Sequence, residues 1–149
     1  MTDDQLLRRF EDLSLPFGQW THRAHIRVAF LYLRTHPFEE ALRRVRAGIK
    51  AYNAANSRPD GPLEGYNETT TAAFLRLVDT TMRVYEEKLP TADSEAFCDA
   101  HPQLLSSSVS RLFYSPARRL HPDAKTRFIE PDLAPLPRAP DLAEDRCIA

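Results

Sequence analysis

Cysteine and glycine are scarce in this chain of 149 residues. The two cysteines, Cys98 and Cys147, are too few and too far apart in sequence for a disulfide framework or a four-thiolate zinc site. The four glycines are too few for a glycine-rich loop that binds phosphate through its backbone. The composition therefore excludes disulfide-stapled folds and glycine-rich nucleotide loops, and the low cysteine content predicts a reducing, cytoplasmic environment.

Long apolar runs and an excess of one charge are also absent from the sequence. No segment approaches the length of a membrane-spanning helix. The first residues, MTDDQLLRRFEDL, carry acidic side chains where a secretory signal would carry basic ones. A formal net charge of -1 gives no general attraction to nucleic acids or to anionic membrane surfaces. We therefore expect neither nucleic acid nor membrane as a partner.

Apolar residues at helical spacing dominate the rest of the chain, and no segment shows the alternating pattern of a strand. Helices are predicted over residues 3–13, 22–35, 38–54, 66–88 and 93–100, followed by one or two single turns. Thr21 is the predicted N-cap of the second of them. The length is that of one ordinary domain with a single core. The sequence therefore predicts an all-α fold, a compact single-domain bundle of four to five main helices.

Helical wheels divide the predicted helices into a core side and a solvent side. The predicted core contains Phe30, Leu33, Leu42, Val45, Ile49, Phe74 and Leu77. The second helix carries three arginines on one flank, which we assign to solvent: Arg23, Arg27 and Arg34. The fourth helix carries its charged residues on the side assigned to solvent: Arg76, Asp79, Arg83 and Glu86.

Proline occurs at almost every third or fourth position from Pro131 onward, in PDLAPLPRAPDLAEDRCIA. Such a composition is typical of an extended segment that lies on the surface or is partly disordered. We therefore divide the chain into a helical domain, residues 1–132, and a proline-rich C-terminal tail, residues 133–149.

Two histidines stand three residues apart at the head of the second predicted helix, in WTHRAHIRVAFLYL. Residues three apart on a helix differ by roughly 60° in direction, so His22 and His25 can converge on one ligand. The wheel places both rings away from the arginine flank. The alternative is that each ring binds a backbone carbonyl or a carboxylate and simply packs in the core.

A polar cluster at the start of the fourth predicted helix, in GYNETTT, supplies the second half of a candidate site. Asn67 falls on the buried side of the wheel, and Glu68 falls at its border, where a first-turn carboxylate is stabilised by the helix dipole. If this end of the helix meets the two histidines, the pocket suits zinc, or non-haem iron held by two histidines and a carboxylate. The alternative is local capping by Asn67 and Glu68.

These segments together resemble an uncharacterised family of small bacterial helical proteins, some of them joined to acetyltransferase domains. The family pattern has aromatic-x-His-x-x-His on a helix, then Tyr-His-Glu-Thr-hydrophobic-Thr, a tyrosine-containing turn and a terminal Phe-x-x-Pro-Asp. The match spans residues 17–137, and the matching residues are Trp20, His22, His25, Gly65, Tyr66, Glu68, Thr69, Thr71, Tyr114, Ser115, Pro116, Phe128, Pro131 and Asp132.

The resemblance implies that His22, His25 and Glu68 belong to one site, and it implies no particular reaction. Asn67 departs from the family pattern, which has a histidine at this position. An amide is a much poorer metal ligand than an imidazole. The departure therefore predicts weaker metal binding, a different metal, or a pocket kept for another purpose.

The resulting hypothesis is a divalent-metal site, for zinc, iron or copper, that acts on a small molecule. His22, His25 and Glu68 are the predicted metal ligands. Glu68 as a general base and Tyr66 as a proton donor or wall are the predicted catalytic residues, and Asn67 and Thr70 are predicted to contact the cofactor. The alternative is a non-catalytic helical module that binds an organic ligand or a protein partner. The sequence leaves the oligomeric state open.

Overall fold

The chain forms helices joined by loops. The computed structural model describes residues 1–85 and 90–139, and no strand occurs within these ranges. The longer helices are α1 (Asp3–Glu11), α2 (His22–Thr35), α3 (Phe38–Ala55), α4 (Glu68–Tyr85) and α5 (Ser94–Ala100). Shorter elements are 3-10 turns at Phe17–Gln19, Pro102–Leu105 and Ser107–Leu112, then α6 (Pro116–Arg119) and α7 (Pro122–Thr126). The all-α prediction is confirmed.

Short polar side chains and a proline set the helix ends. Thr2 and Gln5 form a capping box on α1. The Thr21 hydroxyl accepts a hydrogen bond from the backbone of the third residue of α2, so His22 is the first residue of that helix, as predicted. Pro37 separates α2 from α3. The predicted end of the fourth helix, residues 86–88, lies outside the described residues.

Helix α2 lies at the centre of the bundle and packs against α1, α3, α4 and α5. Every residue from Ile26 to Leu33 is buried, because neighbouring helices cover each face of its middle turns. The predicted core is confirmed, with Phe74 partly buried at its edge. No helix of the described part has the length and apolar composition needed to cross a membrane.

The assignment of Arg27 to the solvent side is wrong, because the chain's N-terminus and α5 cover this flank of α2. Arg27 is only 6% exposed. Its Nε donates to the Ser94 hydroxyl at 2.7 Å, and its terminal nitrogens contact Glu95 at 2.8 Å, Asp3 at 3.3 Å and the Met1 carbonyl at 2.8 Å. A buried guanidinium is tolerated only when its donors are paired. This network therefore attaches α1 and α5 to α2.

The assignment of Asp79 to the solvent side is also wrong, since this residue is 8% exposed. Its carboxylate accepts hydrogen bonds from Arg83 at 3.2 Å and lies 3.6 Å from Arg76 on the same helix. The long arginine side chains one turn away on either side cover the carboxylate and pair with it.

The first part of the proline-rich tail packs on α4. The Thr80 hydroxyl donates to the Pro137 carbonyl at 2.7 Å, and Leu136 contacts the core. This arrangement agrees with the prediction of an extended segment laid on the surface. The rest of the predicted tail, residues 140–149, lies outside the described residues.

We predict that Arg27→Met lowers the free energy of unfolding by about 3 kcal/mol, because it removes one partner of a buried ion pair. The matched control is Arg23→Met on the same helix, whose guanidinium pairs with Glu95 and Asp99 at the surface. This control should lose less than about 1 kcal/mol. Urea unfolding of both variants measures the difference, and equal losses would contradict the buried role of Arg27.

Candidate functional site

A cavity of about 770 Å³ lies among α2, α3 and α4, and we call it the main cavity. Its walls are largely apolar and aromatic, with Trp20, Ile26, Val45, Ile49 and Phe74 among them. The polar side chains in the lining include His22, His25, Asn67, Thr70 and Thr71. A mostly apolar lining with a few polar groups, in a volume of about 300–1,000 Å³, is typical of small-molecule sites.

His25 has one ring nitrogen bound and one available. Its Nδ1 lies 2.7 Å from the Thr21 carbonyl oxygen. A carbonyl only accepts hydrogen bonds, so Nδ1 carries the proton and Nε2 of the neutral ring is an acceptor. No group of the described residues bonds to Nε2. Since none of their fully buried side-chain nitrogens or oxygens lacks a partner, Nε2 must be accessible rather than buried. Nε2 is therefore open to a molecule in the main cavity.

Aromatic stacking and burial fix the state of His25. Its ring stacks on Trp20 at 3.8 Å between centroids, and Trp20 stacks in turn on Phe10 at 4.7 Å. Burial lowers the pKa of His25 to about 4, although the hydrogen bond to Thr21 acts in the opposite direction. The ring is therefore neutral at pH 7.

His22 repeats this arrangement with different partners. Its Nε2 donates to the Leu104 carbonyl at 2.9 Å, and its ring meets Phe74 edge-on at 4.9 Å. This bond uses Nε2 and leaves Nδ1 as the nitrogen available to another partner. The alternative prediction, that each histidine binds a backbone carbonyl, is confirmed for both rings. The two histidines also line one cavity, and their convergence on a single ligand stays a prediction.

Asn67 caps α4, as the alternative prediction for this segment states. Its Oδ1 accepts a hydrogen bond from the Thr70 backbone at 2.9 Å. Both Asn67 and Thr70 line the main cavity, and Thr70 is exposed. The cap uses the amide oxygen and leaves the two N–H donors of Asn67 available to a ligand. The predicted cofactor contacts of Asn67 and Thr70 stay predictions.

Glu68 lies away from the histidines, although it directly follows the cap. The carboxylate is 7% exposed and binds the Arg46 guanidinium, with the Nε donor at 2.7 Å. It also accepts a hydrogen bond from the Tyr66 hydroxyl at 2.9 Å. Burial raises the pKa of the Glu68 carboxyl, but the hydrogen bonds from Arg46 and Tyr66 outweigh this effect and hold it below its usual value. Such a carboxylate is a weak general base.

The structure does not bring the three predicted metal ligands together. Within residues 1–85 and 90–139, no three His, Cys, Asp or Glu side chains converge as a metal site requires. Glu68 is occupied by Arg46, and the Glu64 carboxylate, which also lines the main cavity, does not converge with the imidazoles of His22 and His25. Catalytic zinc takes three protein ligands, and the non-haem iron site needs a carboxylate. These residues therefore do not fit such a centre, and metal binding itself stays a prediction.

Tyr66 forms a wall between two cavities, in agreement with one of its predicted roles. Burial, together with its hydrogen bond to Glu68 and the charge of that residue, raises the pKa of the Tyr66 hydroxyl above its usual range. The hydroxyl is therefore a poor proton donor at neutral pH. The catalytic roles predicted for Tyr66 and Glu68 stay predictions.

A second cavity, of about 750 Å³, lies on the other side of Tyr66. Its lining includes five basic side chains: Arg46, Lys50, Arg58, Lys125 and Arg127. The helical patterns of the sequence do not predict this basic cluster, to which the loop over residues 56–65 contributes Arg58. The cluster depends on tertiary contacts that are distant in sequence. Lys125 donates to the carbonyls of Glu64 and Tyr66 at 2.7 Å and so holds the loop beside the helices.

Comparison with known proteins gives no match, whether with family models, curated proteins or solved structures. The resemblance to the bacterial family therefore stays a prediction. The function has to be argued from the geometry of the two cavities.

We predict that Asn67→His lowers the free energy of unfolding by about 1 kcal/mol, because it removes the amide oxygen that caps α4. The control is Asn67→Asp, which keeps an oxygen acceptor at the helix N-terminus and should retain stability. Thermal and urea unfolding of the three proteins measure the effect. A stability unchanged in Asn67→His would contradict the capping role.

We predict that the protein loses stability between pH 6.5 and about 4, in part through His25. The unfolded chain takes up a proton near the ordinary pKa of 6.5, whereas the folded chain does so only near 4. This difference corresponds to roughly 3 kcal/mol, present above pH 6.5 and lost as the pH falls to 4. His25→Phe keeps an aromatic ring beside Trp20 and removes the proton site.

Urea unfolding at pH 7, 6, 5 and 4 gives the free energy of unfolding at each pH. The effect of His25 is the difference between the wild type and His25→Phe in how steeply this free energy depends on pH. Loss of the hydrogen bond to Thr21 changes the free energy of unfolding of His25→Phe by the same amount at every pH, so it does not affect the pH dependence. Parallel curves for the two proteins would contradict the neutral state of the half-buried His25.

Proposed function

We propose that this protein binds a small organic molecule in the main cavity, with His22 and His25 as its hydrogen-bonding contacts. The observation that carries this proposal is a largely apolar cavity of about 770 Å³ lined by two imidazoles that each use one nitrogen on a backbone carbonyl. The nitrogen that this bond leaves available on each ring can accept a hydrogen bond from a ligand. The ligand accordingly carries hydroxyl or N–H donors on an apolar body.

The apolar walls provide the affinity in this proposal. Trp20, Phe74, Val45 and Ile49 present aromatic and branched side chains from α3, α4 and the segment before α2. Each square ångström of apolar surface that a ligand removes from water contributes about 25 cal/mol. A ligand that fills part of the cavity therefore gains several kcal/mol before the cost of its immobilisation.

The fixed imidazoles provide the specificity. His25 is held by its bond to Thr21 and by its stack on Trp20, while His22 is held by Leu104 and Phe74. A preorganised acceptor loses little side-chain freedom when a ligand binds. A ligand without a matching donor would leave the acceptor dehydrated and unpaired, at a cost of about 1–3 kcal/mol.

The pKa of His25 favours binding over proton transfer. A general base is most effective when its pKa lies near the working pH. With a pKa of about 4, His25 holds a proton poorly at neutral pH. The ring is well suited to accept a hydrogen bond and poorly suited to remove a proton, which supports the non-catalytic alternative stated from the sequence.

A metal-dependent reaction is the second candidate. It is favoured by the bond of each imidazole to a carbonyl, because such bonds orient metal-binding histidines. In this case His22 and His25 would hold zinc, iron or copper, and the small molecule itself would have to supply further ligands. The organic-ligand proposal needs no such addition.

We predict that neutral aromatic alcohols and amides bind in the main cavity with dissociation constants below about 1 mM, the range expected of fragments. Trp20 is the single tryptophan of the chain and lines the cavity, so its fluorescence reports binding. Thr70→Phe adds a ring at an exposed position of the cavity wall and should weaken binding at least about tenfold. Ala47→Phe, at an exposed position that does not line the cavity, is the control.

Equal binding by the wild type and Thr70→Phe, or no response of Trp20 to any fragment, would contradict this proposal. Titration with zinc, iron(II) and copper(II) separates the second candidate. Two imidazoles alone should bind these metals more weakly than about 1 µM. Tighter binding that His25→Phe abolishes would make the metal-dependent reaction the first candidate.

A further inference from the structure

The two cavities share a wall, and this juxtaposition indicates the charge of the ligand. Asn53, Arg58, Pro59, Gly65 and Tyr66 line both of them. A molecule seated in the main cavity thus lies next to the basic lining of the second cavity. The lining changes from apolar side chains in the main cavity, through the aromatic ring of Tyr66, to basic side chains in the second cavity.

Three of the five cations of the second cavity are already neutralised. Arg46 pairs with Glu68, Lys125 with Asp60 at 2.7 Å, and Arg127 with Asp123 at 2.9 Å. These pairs hold α3, the loop 56–65 and α7 in place. The other two basic residues of this cavity are not part of these ion pairs.

Lys50 and Arg58 are those two cations. Neither forms an ion pair with a carboxylate of the described residues, although the charge of Lys50 helps to lower the pKa of the Glu68 carboxyl. Each lies over an aromatic ring instead. The Lys50 ammonium is 5.2 Å from the centre of the Tyr66 ring, and the Arg58 guanidinium is 4.6 Å from that of Phe17. Both rings line the main cavity. Two exposed positive charges are therefore positioned by the aromatic border of the apolar site.

We propose that the ligand of the main cavity is an amphipathic organic anion, whose apolar body lies against Trp20 and Phe74 and whose carboxylate or phosphate binds Arg58 and Lys50. This inference rests on the proposed function and adds the charge and orientation of the ligand. Guanidinium and ammonium groups bind oxyanions through charge-assisted hydrogen bonds.

The histidines determine the orientation. His25 and His22 offer acceptor nitrogens, and a carboxylate also only accepts hydrogen bonds, so the oxyanion gains nothing at that end. The charged group therefore points to Arg58, and any hydroxyl or N–H group points to the histidines. Glu64 also lines the main cavity, and its exposed carboxylate opposes an anion there, whereas Arg58 and Lys50 together supply two positive charges at the border with the second cavity.

The test compares 5-phenylpentanoate with 5-phenylpentanamide, which have the same apolar body and differ in charge. Trp20 fluorescence gives both dissociation constants, and 5-phenylpentyl phosphate distinguishes carboxylate from phosphate preference. We expect the acid to bind the wild type at least about tenfold more tightly than the amide at low salt, and the difference to shrink in 0.5 M salt. Phosphate preference over carboxylate keeps the inference and refines it.

Arg58→Gln and Lys50→Gln are exposed substitutions that leave the core unchanged. Each should weaken binding of the acid by about three- to tenfold and leave binding of the amide unchanged. Arg43→Gln is the matched control. Arg43 is an exposed residue of α3, like Lys50, but it lies outside both cavities and pairs with Glu40. This substitution should change the dissociation constant of neither the acid nor the amide.

The outcomes separate this inference from the function on which it rests. Equal affinities for acid and amide, both weakened by Thr70→Phe, would overturn the anion inference while the proposed function stands. Tighter binding of the acid that Thr70→Phe does not affect would place the anion outside the main cavity and overturn the inference. Absence of any binding by either compound, and by the neutral fragments, would overturn both.

Discussion

The buried carboxylate of Glu68 is the constraint on which the arrangement of the site depends. A buried charge requires a partner, and Arg46 supplies it from α3 while Tyr66 adds a hydroxyl. This one cluster joins the first residue of α4 to the middle of α3. It also fixes the position of Tyr66, which lines both cavities. The separation into an apolar cavity and a basic cavity thus follows from how one carboxylate is neutralised.

The helices and the histidine pair could be predicted from the sequence, because their signals are local. Thr21 caps α2 through a residue three positions away, and this cap fixes the position of His22 and His25 on the first turn. Arg27 and Glu68 could not be placed in this way. A helical wheel separates polar from apolar sides, whereas the partners of these charges come from α5, the N-terminus and α3. Only the tertiary packing decides which polar flank becomes buried.

Asn67 shows how a capping role and a cavity position coexist. The wheel places this residue on the inner side, and the structure finds it both at the N-cap and in the lining of the main cavity. An asparagine satisfies both demands, because its oxygen binds the helix amide and its nitrogen keeps two donors. A stronger metal ligand at this position would lose the capping oxygen. Residue type here thus reflects helix stability as well as the chemistry of the pocket.

Desolvation explains why the polar groups of the site are ordered as they are. At the enclosed end, His25 is neutral, because burial against Trp20 disfavours its charged form. At the open end, Arg58 and Lys50 are exposed to water, and aromatic rings hold them in position. A charged group on a ligand faces the same cost at the enclosed end. The apolar body of the ligand is therefore bound where water is excluded, and its charged group is bound at the open end beside the two cations.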